Sequence, residues 1–506
     1  MALPKKFTNP WADNGGDITP DFTTAKRDVG FVGGDIPAIE DFNILIRENQ
    51  LSINDIIDGS PVPWYPDASN INKMICSGQW DEPWGNGGDA LNVIAGGATK
   101  EYRDMVTYFD SNNKPYLLVL NNADTTIDVY DPRATLANLS TPIITTNALT
   151  DDLETGGTEV YECISMCTDG ATVFIVFTDT NAAPNEHWIQ AWTIDITSAD
   201  WVPAWSAVST TGTQLTGTGN GFVASAKDAE VIVANATHVA VSCGWVTITA
   251  AGDPAIQLYS IATGALEDDG AGDCSTGSTL RPTEGIASDG TNIFFSTGDN
   301  AGGNTKLASA TLADLTAGCG GAGFPSSSYS TFANYEKMKL CSGGTLIISD
   351  AITSNTPANT DLAIGCFSSI GAVRDPIYRG QNSQAAPIKG DAHFMDWDGA
   401  RAMAFDGQNF WVLTVVDNTA GDEQRALLRI DAAKFTIPAT NSPKNLEAVC
   451  SVYIVDPTTE EPANDTERAY SSITFDSRDI WCIVEPRASE TSSGNIFRLP
   501  KAQQRS

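Results

Sequence analysis

Seven times along this chain a β-rich run is broken by a tight polar turn and resumes as a run of aromatic and β-branched residues. The clearest copies are Glu284-Gly-Ile-Ala-Ser-Asp-Gly-Thr-Asn-Ile-Phe-Phe-Ser296, Arg401-Ala-Met-Ala-Phe-Asp-Gly-Gln-Asn-Phe-Trp-Val-Leu-Thr414 and Ser471-Ser-Ile-Thr-Phe-Asp-Ser-Arg-Asp-Ile-Trp-Cys-Ile-Val484. An Asp-Gly pair supplies the positive φ that a short hairpin turn favours, and the flanking runs read as inner strands of packed sheets. Weaker copies turn at Ser111-Asn112, Asp169-Gly170, Asn235-Ala236 and Gly343-Gly344. Successive turns lie roughly 55 to 70 residues apart, which suits propeller blades with generous loops better than short solenoid repeats. The expected fold is all-β: a seven-bladed β-propeller with an extended N-terminal arm and one short helix.

Length and composition agree with that reading. A propeller of about 400 residues plus an N-terminal extension accounts for nearly all of the chain, and its 44 Gly and 25 Pro supply turns rather than long helices. Three parts are expected: an arm and helix over 1–60, a Trp/Pro/Gly-rich connector over 61–98, and the propeller over 99–506. The last blade shows only three strands, Ile473 to Phe475, Ile480 to Val484 and Asn495 to Leu499. A segment ahead of the first blade, Leu91 to Ile94 or Lys73 to Cys76, is therefore the expected donor of its outer strand, which would leave the ring without an edge.

The first sixty residues differ from everything after them. Phe7 to Gly34 is rich in Gly and Pro without a clear period, as an extended arm would be. Ile39, Phe42, Ile46, Asn49, Ile53 and Ile56 then fall at alternating spacings of three and four, with Pro37 as a start signal and Asp58-Gly59 as a stop. Two readings stay open: an amphipathic helix packed on its own domain, or the seam of a small oligomeric bundle, three-fold, with Asn49 setting register.

The segment Asn9-Pro-Trp-Ala-Asp-Asn-Gly-Gly16, Ile18-Thr-Pro20, Arg27-Asp-Val-Gly-Phe31, Gly33-Gly34, Ile36-Pro37, Glu40-Asp-Phe-Asn43 and Gln50, continued by Pro61-Val-Pro-Trp-Tyr-Pro66, resembles the opening of bacteriophage tail fibre and tail appendage proteins. The resemblance covers about sixty-five residues. It implies a virion protein, made in the host cytoplasm, whose N-terminus plugs into other tail proteins through Trp11, Phe31, Ile39, Phe42, Asn43, Ile46, Asn49, Ile53 and Ile56. No long triple-helical shaft or collagen-like tract follows, so the implied product is a stub that displays its propeller directly, with homo-oligomerisation and host-surface attachment as the expected consequences.

Catalytic patterns are sparse. The three histidines, His187, His238 and His393, have no nucleophile-elbow motif beside them, and no Walker loop, HExxH or CxxC occurs. Ser288-Asp-Gly-Thr-Asn292 lacks the spacing of a sialidase box. Two oxygen-rich loops, Glu267-Asp-Asp-Gly-Ala-Gly-Asp273 and Gly298-Asp-Asn-Ala-Gly-Gly-Asn304, miss the EF-hand pattern and read as solvated turns. No enzyme activity, cofactor or metal is expected, with a glycan hydrolase or lyase of the propeller kind and a capsid decoration protein kept as alternatives. A host glycan would be held by exposed aromatics; Trp201, Trp205, Tyr329 and Tyr335 are the candidates. The net charge of −34 repels nucleic-acid phosphate and anionic lipid, and no run is apolar enough to span a bilayer. The ten cysteines are expected to be free thiols, as in a protein made in a reducing compartment.

Overall fold

A computed structural model describes residues 79–83, 92–94, 100–134, 139, 141–152, 160–179, 186–205, 230–242, 256–268, 280–299, 304–316, 400–417, 423–434, 450–456, 471–484 and 495–500, with shorter stretches at 213–214, 329–333, 340–343, 347–350, 363–367, 378–379, 396–397 and 444–445. The chain divides into two units, Met1–Ile75 with Gln503–Ser506, and Cys76–Ala502. Every described residue belongs to the second. The expected arm, the helix and the docking residues Trp11 to Ile56 lie outside the described residues, as do Tyr335, His393 and the Lys73–Cys76 alternative.

The described residues are mostly strand, with helix confined to short turns such as Leu312–Thr316. They form seven sheets, taken here in the chain order of their first hairpins. The first is an antiparallel meander of Tyr102–Phe109, Pro115–Asn121, Thr126–Tyr130 and Ile144–Thr145. The second begins Tyr161–Thr168 and Thr172–Asp179, the third Glu230–Val233 and His238–Ser242, the fourth Leu280–Ser288 and Asn292–Asp299. The fifth begins Leu340–Ser342 and Ile347–Asp350, the sixth Ala402–Phe405 and Asn409–Asp417, the seventh Ser472–Phe475 and Asp479–Val484. Each expected turn joins the two strands of the first hairpin of one sheet.

One device shapes most of these turns. Asp169 Oδ1 accepts the backbone N–H groups of Ala171 (2.9 Å) and Thr172 (2.7 Å), and Asp289 does the same for Thr291 (2.9 Å) and Asn292 (2.7 Å). Asn235 repeats the pattern with Thr237 and His238, Asp406 with Gln408 and Asn409, and Asp476 with Arg478 and Asp479. Positive φ is present at Gly170 (93°), Gly290 (88°) and Gly407 (95°). Among the described residues the only side-chain-bearing residues with positive φ are Asn113 and Thr125, so Ala236 and Ser477 turn without it. The shared element is the side-chain oxygen two residues ahead of the donors, an Asx-type turn. Gly343 has a different reason to be glycine: a Cβ there would lie 2.5 Å from the ring of Phe410, in the next sheet.

Strands alternate their side chains between two neighbours, so the core is a series of layers between sheets. On Pro115–Asn121, Leu118 and Leu120 pack with Val173, Ile175 and Phe177 of the second sheet. Leu117 and Val119 on the opposite face pack with Trp481 and Ile483 of the seventh. Phe174 and Val176 face Val239 and Val241 of the third, and Trp411 and Leu413 face Ile480 and Cys482. Burial on both faces explains why these strands read as continuous apolar runs rather than alternating ones. Burying one such side chain contributes about 1.5–3 kcal/mol.

The first strands of consecutive sheets also pack side by side, and Ser472–Phe475 of the seventh packs on Tyr102–Phe109 of the first. Polar side chains stitch several of these neighbours. Asp104 Oδ2 accepts Met166 N–H at 2.7 Å, Ser165 Oγ accepts Val231 N–H at 3.3 Å, and Ser288 Oγ donates to Ala234 O at 2.7 Å.

The connector takes part in two sheets. Gln79–Pro83 lies parallel to Cys450–Asp456 on the sixth, and Asn92–Ile94 lies antiparallel to Asn495–Pro500 on the seventh. Trp80-Asp81, expected within a connector, is thus part of a strand. Of the two expected donors for the seventh sheet, the described residues present Asn92–Ile94.

Candidate functional site

The described residues gather ionisable groups where the first strands of the first two sheets begin. Arg103, 4% exposed, is held by Glu101 Oε1, and its Nη2 lies 3.7 Å from Glu162 Oε2. Asn122 Nδ2 donates to Glu101 Oε2 at 3.2 Å, so both oxygens of Glu101 are occupied. Asn122 Oδ1 in turn accepts Cys163 N–H at 2.6 Å, and Asn121 Oδ1 accepts Glu101 N–H at 2.9 Å. The geometry follows from the meander: the start of a first strand and the end of the second share one edge of the sheet. Two carboxylates face one guanidinium at that edge.

Deeper in the first sheet sits a second polar group. Asp128, fully buried, accepts Lys100 Nζ at 2.7 Å on Oδ2 and the Thr145 hydroxyl at 2.6 Å on Oδ1. Tyr102 Oη lies 3.5 Å from Asp128 Oδ2 and 2.6 Å from Tyr130 Oη. Burial pushes both phenols well above the usual tyrosine value, reinforced at Tyr102 by the Asp128 charge and at Tyr130 by its neighbour Tyr102. Every oxygen of this group has a partner inside the chain, and its evident work is to fix the third strand against the first.

Of the aromatic candidates, Trp201 and Trp205 are corrected by the structure. They are 4% and 2% exposed. Trp201 donates its indole N–H to Asp195 O (2.8 Å) and Trp205 to Ile261 O (2.9 Å). Trp205 wedges between Phe174 of the second sheet and Tyr259 of the third, and a Cβ on Gly264 would meet its ring at 2.6 Å. Their loop positions suggested exposure, but a large ring beside two sheets gains more by closing the gap between them. Tyr329 begins the strand Tyr329–Ala333.

Sequence reading missed Trp411 and Trp481. Each is fully buried and donates its indole N–H to the turn carboxylate five residues earlier, Trp411 to Asp406 and Trp481 to Asp476, both at 2.9 Å. The recurring Asp-x-x-[Asn/Asp]-x-Trp spacing carried this signal. Cys163, Cys167, Cys341 and Cys482 are free thiols. Among the described residues no group of His, Cys, Asp and Glu is arranged to hold a metal, and no helix is long and apolar enough to cross a membrane.

No family model and no curated protein matches the chain. Among solved structures it is similar to hydrazine synthase of Kuenenia stuttgartiensis, at 9% identity and TM-score 0.46, over 81% of this chain and 98% of that one. It is similar also to an oligogalacturonate lyase in complex with manganese, at 10% identity and TM-score 0.38, over 66% and 76%. The Hadza microbial sialidase Hz136 is a third, at 10% identity and TM-score 0.36, over 76% and 73%. At such scores these likenesses bear on no activity, and the description of the sheets rests on their own pairing.

Proposed function

We propose that this chain is a structural, tail-associated protein of a bacteriophage particle. Residues 1–60 dock it, as an oligomer, to other tail proteins, and the sheets form a seven-bladed β-propeller displayed outward or as a collar. The N-terminal pattern from Asn9 to Pro66 supports the first half. Support for the second comes from the unbroken series of side-by-side first strands, Ser472–Phe475 returning to Tyr102–Phe109.

One observation carries the reading. On its way from the N-terminal segment the chain adds an outer strand to the sixth sheet and another to the seventh before it starts the first. A connector built into two neighbouring sheets passes a pull at the virion into ladder hydrogen bonds of the body, as a displayed module needs. Attachment to a host-surface glycan would draw avidity from several copies.

The test is sedimentation with particles that lack this protein. The full chain should co-sediment and residues 61–506 should not. Equal retention of both by the particle would remove the docking role of the arm, and binding to tail-less capsids would point to a decoration protein instead.

A polysaccharide hydrolase or lyase is the second reading, favoured by Glu101 and Glu162, which both approach Arg103 Nη2. Paired carboxylates are the minimum such chemistry needs. Release of reducing sugar from host envelope, abolished in Glu162→Gln, would establish it.

A further inference from the structure

The chain passes from the seventh sheet to the first by way of Asn92–Ile94, and the hairpins of the two sheets meet through residues 343 or more apart in sequence. Polar side chains join the hairpins there, beside the apolar layer of Leu117, Val119, Trp481 and Ile483. Arg133 follows the third strand of the first sheet. Its Nη2 donates to Asp476 Oδ1 (2.7 Å) and Ser477 Oγ (3.2 Å), and its Nη1 donates to Asp479 Oδ2 (2.9 Å). Arg498, on the last strand of the seventh sheet, reaches the same Asp479 oxygen at 3.1 Å. The two aspartate side chains are 0% and 2% exposed, against 21% for Arg133 and 29% for Arg498. Between the first strands, Thr107 N–H donates to Thr474 Oγ1 (3.1 Å), the two threonine hydroxyls lie 3.0 Å apart, and Ser472 Oγ donates to Met105 O (3.3 Å).

We propose that this junction is an ionic latch: the first and seventh sheets part here, each keeping its own ladder, when Arg133 loses its hold on Asp476 and Asp479. The proposal rests on the ring reading given above. It adds that charge, beside the apolar layer, holds the junction carrying the N-terminal strand Asn92–Ile94.

The balance of interactions makes the junction separable. Removing the guanidinium leaves Asp479 with Arg498 and buried Asp476 with uncharged donors alone, and breaking one side of a buried ion pair is costly. The remaining partners of Asp476 are local: the N–H groups of Arg478 and Asp479 and the indole of Trp481. Arg498 also belongs to the seventh sheet, so it stays behind. Lys114, the nearby cation of the first sheet, is committed to Asp131 at 2.7 Å. From the first strand across the junction come the hydroxyl of Thr107 and the carbonyl of Met105, which carry no charge. Loss of Arg133 therefore removes the charged link between the sheets while Asp476 keeps its turn donors and the Trp481 indole.

The experiment uses the full chain and reads amide hydrogen exchange peptide by peptide. Arg133→Met should speed exchange about tenfold in 102–109 and 472–484 while 172–179 and 423–431 keep wild-type rates. The double variant Thr107→Cys/Thr474→Cys should form a disulfide on mild oxidation, since the hydroxyls it replaces are 3.0 Å apart. Added to Arg133→Met, that disulfide should restore slow exchange. If the cysteines pair but Arg133→Met leaves every peptide at wild-type rates, or speeds all sheets equally, the latch is wrong and the ring stands. If the cysteines do not pair, the first and seventh sheets are not neighbours and the ring reading itself fails.

Discussion

Trp481 donates its indole N–H to Asp476 at 2.9 Å, and seventy residues earlier Trp411 makes the same bond to Asp406 at the same distance. A carboxylate thus does two jobs: it caps the turn between the first two strands, and it fixes the rotamer of the largest side chain on the second. The ring so fixed is what the neighbouring sheet packs against, Trp411 touching Tyr453 and the Ile480 layer, Trp481 the Leu117 and Val119 layer. In these two sheets turn chemistry and sheet-to-sheet packing are therefore coupled through one residue pair each.

That coupling ranks three substitutions. Asp406→Ala strands two backbone donors and one indole, at about 1–3 kcal/mol for each buried group left unpaired. Asp476→Ala should cost more, because Arg133 loses a partner as well. Asp406→Asn keeps an acceptor at the turn and should cost least. Urea unfolding midpoints measured on the three variants check the order.

Two glycines with positive φ should respond differently to alanine. Gly407→Ala meets open space, so only the backbone is strained, at about 1–2 kcal/mol. Gly264→Ala adds a Cβ 2.6 Å from the Trp205 ring, in a wedge between two sheets, and should cost a further 1–3 kcal/mol or so of overpacking. Trp fluorescence should move in the second variant and stay put in the first.

Acid should weaken the turns in a defined direction. At Asp406 and Asp476 burial raises the pKa, but the N–H donors, and Arg133 at Asp476, outweigh it and hold each carboxyl below its ordinary value of 3.8. A pKa depressed by folding contributes stability that is complete above the unfolded value, about 3.9, and is lost as pH falls through the folded one. Unfolding midpoints should be flat from neutrality down to that value and drop below it, and the drop should shrink in Asp406→Asn.

The thiols titrate the other way. Burial pushes Cys163, Cys167 and Cys341 well above the ordinary thiol value and Cys482 up to about 12. A raised thiol pKa means stability that holds below the unfolded value and declines as pH rises past it. Alkylation at mildly alkaline pH should spare these four in the folded chain and modify them all in urea, which peptide mapping reads directly.

Much of the body was legible in the sequence because its strands are buried on both faces. Runs such as Tyr116-Leu-Leu-Val-Leu120 and Val173-Phe-Ile-Val-Phe177 have no polar residue to hide them, and the turns between carry Asp or Asn. The outer strands were not legible. Ile144–Thr145 and Thr213–Gln214 are two residues each and owe their state to the neighbour they pair with, not to their own propensity. Gln79–Pro83, with a proline and two acidic residues, was hidden for the same reason. The roles of Trp201 and Trp205 could not be read from position, since a loop residue is exposed or wedged according to a sheet that lies far away in sequence.

The central claim, that residues 1–60 form an assembly device on a self-sufficient body, is tested most directly by the solution mass of the full chain and of residues 61–506, measured by light scattering. The account predicts an oligomer, a trimer in its simplest form, that falls to a folded monomer when residues 1–60 are removed. An unchanged mass for the two chains would contradict it.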